Sequence, residues 1–142
     1  MIYLDAAYIA KFYVEEPDSR CVREHLASVG SVGSCIHARV EVVSVFHRKL
    51  REGFMPQLEF EQFCQQFHAD CSAGLWTWFP LEDELVMETC KRISNLAVSV
   101  FIRSSDAIHL ACAAREGFAE IHTNDRHMIT AAPAFGLTAV TL

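Results

Sequence analysis

Short apolar runs alternate along the chain with longer stretches of helical periodicity. Residues 2–4 read as a brief strand that hands over at Asp5 to a helix from Ala6 to about Val14. Pro17 opens a second helix that ends near Gly30, and residues 34–36 form a short strand. A helix then runs over 37–51 and stops before Gly53. Pro56 begins another helix, in which Phe60, Cys64, Phe67 and Cys71 recur at helical spacing and predict a buried stripe. Residues 75–79 read as a strand with Trp76 and Trp78 on one face. Helices follow over 82–97 and 105–116, the second closed by Gly117. The chain finishes with a strand over 120–122, a helix over 125–132 and a strand over 137–140.

Strands alternating with helices imply parallel pairing with helices on both faces, an α/β three-layer domain with a central parallel sheet. The 142 residues suit one domain, 1–142, and no linker or repeat divides them. In open parallel sheets ligands sit at the carboxyl ends of strands, where the strand order reverses. That rule directs attention to four acids.

Asp5 follows the first strand, and its simplest role is an N-cap. Asp125 repeats that situation after the strand over 120–122, in Thr123-Asn124-Asp125. Asp106 opens a helix of small residues, where the macrodipole favours an acid. Glu41 differs from these three. It stands in Val40-Glu41-Val42-Val43-Ser44-Val45-Phe46, where apolar neighbours imply burial and an unpaired carboxylate is costly. Arg48 and Lys49 are too far along the helix to pair with it locally. An acid cluster without matching cations repels itself, and a hard divalent cation with oxygen ligands is the usual remedy. Such a site supports in-line attack on a phosphodiester.

Other groups have simpler readings. Cys64, His68 and Cys71 have ligand-like spacing, but two belong to the apolar stripe, so core packing explains them. His109 lies one turn from Asp106 and could approach the site, but a surface or partly buried structural histidine is the simpler reading. Trp76 and Trp78 read as a buried strand face or a dimer contact rather than a platform for RNA bases. Arg48, Lys49 and Arg51 form the densest basic stretch, by default a solvated helix end.

Composition narrows the classes. The chain is 51% hydrophobic and 21% charged, enough apolar content for a core. No apolar run approaches the roughly 20 residues needed to cross a bilayer, and the N-terminus does not read as a secretory signal. Six cysteines without a Cys-x-x-Cys pair predict reduced thiols and a cytoplasmic location. A net charge of −6 speaks against a broad nucleic-acid surface. Setting aside the four candidate acids leaves only −2 for the rest of the chain, so the acidity is concentrated where a cation would neutralise it.

The ordered set of motifs resembles the PIN-domain ribonucleases of the VapC toxin family. The opening Ile-Tyr-Leu-Asp5-Ala-Ala-Tyr-Ile-Ala-Lys11-Phe-Tyr-Val-Glu-Glu-Pro17 is similar to theirs, and Ala38-Arg39-Val40-Glu41-Val42-Val43-Ser44 resembles their glutamate helix. Arg103-Ser-Ser-Asp106-Ala-Ile-His109-Leu-Ala111 and Thr123-Asn124-Asp125-Arg126 resemble the third and fourth acidic motifs. The resemblance implies a Mg²⁺- or Mn²⁺-dependent endoribonuclease, the toxin of a type II toxin–antitoxin pair, acting on RNA as a homodimer and inhibited by a cognate antitoxin. By position it implies that Asp5, Glu41, Asp106 and Asp125 are the catalytic metal ligands, with Thr123 and Asn124 supporting them. Family members often carry Ser or Thr two residues after the first Asp, where this chain has Ala7. Two other readings stand beside this one: a catalytically weak PIN-like module that binds RNA or protein, which that departure mildly encourages, and another Mg²⁺-dependent phosphoryl-transfer enzyme. A phosphatase with an aspartyl nucleophile would want a second Asp at position 7, and no phosphate-binding Gly-rich loop is present.

Overall fold

In a computed structural model describing residues 1–142, the two-residue alternation of the strands sets the layers. Strands β1 (Ile2–Tyr3), β2 (Val32–Cys35) and β3 (Thr77–Phe79) pair in parallel in the order β1-β2-β3. Strands β4 (Glu120–His122) and β5 (Thr138–Val140) form a second parallel pair. Leu4 bridges to His122, and the Asp5 N–H donates to the His122 carbonyl at 3.1 Å, so β1 lies beside β4. The spatial order is therefore β3-β2-β1-β4-β5, and the winding reverses between β1 and β4.

Alternate residues feed two cores. Leu4, Val32, Trp76 and Trp78 face helices α1 (Ala6–Tyr13), α2 (Ser19–Ser28), α3 (Ala38–Arg51) and α4 (Gln57–Ser72). Tyr3, Cys35, Phe79 and Ile121 face α5 (Asp83–Ser94), α6 (Ser104–Arg115) and α7 (Arg126–Ala131), with a 3₁₀ turn at Ala132–Phe135. This is the expected three-layer α/β arrangement. Gly117 follows α6 with φ 79°, a left-handed value that glycine adopts without a Cβ penalty. No helix is long and apolar enough to cross a membrane. All six cysteines are free thiols.

Three packing expectations need correction. The stripe on α4 is only partly covered: Phe67 is fully buried, while Phe60, Cys64 and Cys71 are half-buried. Helix α4 packs mainly on α3, with Phe67 reaching Tyr13 of α1 and Trp78 of β3, and the rest of the stripe runs along the edge of the layer. Val40 is 71% exposed, so the apolar run around Glu41 does not enclose it; Val42 and Phe46 point inward instead. Strand β3 begins at Thr77 rather than at 75, although Trp76 and Trp78 do share a face. Trp76 satisfies its indole by donating to the Tyr13 hydroxyl at 2.8 Å.

Candidate active site

Asp5, Glu41, Asp106 and Asp125 line one cleft of about 200 Å³. It opens where the strand order reverses, at the carboxyl ends of β1 and β4, the position the general rule for parallel sheets indicates. Asp5 leaves β1, Asp125 leaves β4, and the first turns of α3 and α6 bring in Glu41 and Asp106.

The capping roles are real and coexist with convergence. Asp5 caps α1 by accepting from the Tyr8 N–H at 2.9 Å, and it accepts from the Thr123 hydroxyl at 2.5 Å. Burial pushes its carboxyl above the usual range, with those two bonds working the other way. Asp125 caps α7 through the N–H groups of His127 and Met128, at 2.7 and 3.1 Å. Burial would raise it too, but those bonds and the Arg103 charge hold it below its ordinary value. Asp106 has no such support. Burial, then the Asp125 charge, push its carboxyl up against the pull of Arg103, and its Oδ2 has no hydrogen-bond partner.

Glu41 is not the isolated carboxylate that its sequence neighbours imply. His109 Nε2 lies 2.8 Å from its Oε2, and His37 Nε2 lies 3.4 Å away. Burial alone would raise Glu41, but the hydrogen bond and charge of His109, with His37, hold it below its ordinary value. His109 itself is not a surface residue. It is 1% exposed, and its Nδ1 sits 3.0 Å from the Tyr3 hydroxyl, which also accepts from the Cys35 N–H at 3.0 Å. The i, i+3 spacing from Asp106 does bring His109 to the cleft, as its position allowed; nothing local announces the contact with α3.

The cluster is also less free of cations than its sequence suggests. Arg103 reaches Asp125 at 3.3 Å and Asp106 at 3.5 Å, and Arg48 lines the cleft. Arg103 is 59% exposed in its side chain, so these pairs are screened and weak. Arg48 belongs as well to a larger groove of about 760 Å³ between α3 and α4, with Arg39, Arg51, Val40 and Phe60. Lys49 instead pairs with Glu16 at 2.5 Å.

Thr123, fully buried, ties two acids together: it donates to Asp5 and accepts from the Asp125 N–H at 3.1 Å. Thr123→Val keeps the shape and leaves both partners short of a bond, so it should cost ~1–3 kcal/mol in chemical denaturation. A change below ~0.5 kcal/mol, the range of an ordinary surface substitution, would contradict that linkage. Asn124 is exposed and bonds none of the four acids. Ala7 lines the cleft without a hydroxyl. Cys64, His68 and Cys71 do not form a ligand group; His37, Glu41 and His109 do, with donor atoms all within 4.8 Å of one another.

Four carboxylates around one small cleft, one with an unpartnered buried oxygen, match the all-oxygen donor set that Mg²⁺ and Mn²⁺ take. This arrangement on a parallel sheet with a β1/β4 switch is that of a known class. The chain belongs to the PIN domain family, whose model matches residues 2–132. Its fold is similar to that of VapC20 from Mycobacterium tuberculosis, a sarcin-ricin loop cleaving toxin. The two share a TM-score of 0.76 and 13% identity, over 92% of this chain and 95% of that one. FitAB, solved bound to an IR36 DNA fragment, gives a TM-score of 0.69 at 14% identity, over 99% of this chain and 94% of the other. No curated protein sequence matches the chain.

Proposed function

We propose that this protein is a divalent-metal-dependent endoribonuclease, the toxin of a type II toxin–antitoxin pair, working in the cytoplasm. The observation that carries this reading is the convergence of Asp5, Glu41, Asp106 and Asp125 on one cleft, where the Asp106 Oδ2 makes no hydrogen bond and has only the long Arg103 contact. These four carboxylates would hold Mg²⁺ or Mn²⁺. When bound, such an ion polarises a phosphoryl oxygen and makes a water a stronger nucleophile near neutral pH.

The protein's own groups prepare that cleft. Tyr8 and Thr123 fix both oxygens of Asp5, and His109 fixes one oxygen of Glu41, so these two carboxylates are ordered without substrate. Arg103 partly offsets the repulsion between Asp106 and Asp125. Arg48, on the wall, is placed to meet an RNA phosphate beside the scissile one. The apolar floor and arginine rim of the α3–α4 groove suit an acidic antitoxin segment, and a homodimer is part of the same proposal. Ala7 favours one other reading, a PIN-like binding module with weak or no cleavage, and the same assay separates the two.

The assay incubates structured and unstructured RNA with the purified protein in Mn²⁺, in Mg²⁺ and in EDTA, beside Asp5→Asn prepared identically. Metal-dependent cleavage absent in EDTA and in the variant is expected. Cleavage that survives EDTA, or an equally active Asp5→Asn, would overturn the proposal. Binding without cleavage under all conditions would favour the module.

A further inference from the structure

His37, Glu41 and His109 form a donor set of a different chemistry from the carboxylates. The Nε2 atoms of His109 and His37 lie 2.8 and 3.4 Å from the Glu41 Oε2, and the imidazole centroids are 4.3 Å apart. A tetrahedral zinc ion with ligand bonds of ~2.0–2.1 Å separates its donors by about 3.3 Å; the three donors here lie within 4.8 Å of one another, so small side-chain adjustments that open the His109–Glu41 hydrogen bond would admit such an ion. The His37 ring nitrogens are both shielded from solvent and make no full hydrogen bond; Nε2 has the Glu41 contact at 3.4 Å, and the Cys35 thiol lies alongside the ring. Buried polar atoms are normally paired, so an imidazole with no full hydrogen bond, beside a carboxylate and a second imidazole, has a nitrogen to offer an ion.

The surroundings supply the rest of a metal site. The Tyr3 hydroxyl at His109 Nδ1 fixes the ring so that Nε2 faces Glu41, the outer-sphere contact that metal-bound histidines usually have. His109 and His37 are mostly buried, and Glu41 opens onto the cleft, which leaves an approach for the ion and a coordination position for water. Two imidazoles with one carboxylate suit borderline-soft ions, whereas Mg²⁺ prefers oxygen throughout.

We infer that His37, Glu41 and His109 form a binding site for a zinc-class transition-metal ion, distinct in ligands from the carboxylate cleft and sharing only Glu41 with it. An ion held there engages Glu41 through the edge nearest the histidines, so the two sites are adjacent and linked through one side chain.

Cobalt(II), a spectroscopic stand-in for zinc, tests the site on metal-free protein without RNA, so the outcome does not depend on nuclease activity. The wild type should bind one Co²⁺ with visible d–d bands and no near-ultraviolet thiolate charge-transfer band, although exposed Cys21 and Cys90 are present. His37→Ala, which removes a ring whose closest polar contact is the Glu41 Oε2 at 3.4 Å, should keep its circular dichroism and weaken binding by at least ~10-fold. Asp106→Asn should retain binding. Equal affinity in His37→Ala, a thiolate band, loss of binding in Asp106→Asn, or no Co²⁺ binding by the wild type would each overturn the inference. Loss of binding in Asp106→Asn would leave the carboxylate cleft as the cobalt site, and none of the outcomes bears on whether RNA is cleaved.

Discussion

Asp106→Asn should abolish metal-dependent RNA cleavage and at the same time stabilise the metal-free protein near neutral pH. A bound divalent ion contributes several kcal/mol to the transition state, and each ~1.4 kcal/mol is tenfold, so activity should fall by at least ~10²-fold. The stability gain follows from the sign of the shift. Burial, then Asp125, raise the folded-state pKa of Asp106 above its unfolded value, so the ionised carboxylate opposes folding at neutral pH. As pH falls through the raised folded value, the wild-type carboxyl takes up its proton and the opposition fades. Below the unfolded value both states are protonated, and the advantage of Asn disappears. Denaturation at several pH values checks this. A variant destabilised at neutral pH, or one that keeps full cleavage, contradicts the account. Asp5→Asn is a less clean probe of repulsion, because Asp5 also caps α1 and accepts from Thr123.

Phe46→Ala should give the largest loss of stability, ~3–5 kcal/mol, against a typical total of about 5–15 kcal/mol for a protein of this kind. Phe46 is fully buried on α3, with ring centroids 5.8 Å from Phe63, 5.9 Å from Tyr13 and 6.2 Å from Phe67. The α3–α4 contact depends on that cluster, because Phe60, Cys64 and Cys71 leave the rest of the face half-exposed. Helix α3 also carries Glu41, so the truncation should lower cleavage as well as the denaturation midpoint. A loss below about 1 kcal/mol would show that α4 is held by other contacts.

The alternation of short strands with amphipathic helices made the layered α/β fold legible, because the two-residue strand period divides Tyr3 from Leu4 and sends them to opposite cores. The positions of Asp5 and Asp125 were legible for a related reason. Each stands one or a few residues past a strand, where a helix needs a cap, and the parallel topology puts such positions on one edge. Glu41 was singled out on a partly mistaken premise. Its apolar neighbours do not bury it, since Val40 faces solvent, and its partner comes from α6, 68 residues away. The bonds from His109 to Glu41 and Tyr3, and the place of His37 beside them, escaped for the same reason: one helix's periodicity shows which face is apolar, but not which polar group another element presents to it. The reading of α4 failed because the helix lies at the edge of its layer, where Phe67 reaches Tyr13 and Trp78 but the stripe as a whole is only partly covered.

The central claim is that the four carboxylates act together as one cation site. The most direct measurement is anomalous scattering from crystals of the protein grown with Mn²⁺, compared with crystals of Asp106→Asn. The account predicts a manganese peak in the cleft, in contact with carboxylate oxygens that include those of Asp5 and Asp106, and its loss or marked weakening in the variant. An empty cleft in the wild type at saturating Mn²⁺, or an undiminished peak in Asp106→Asn, would contradict it.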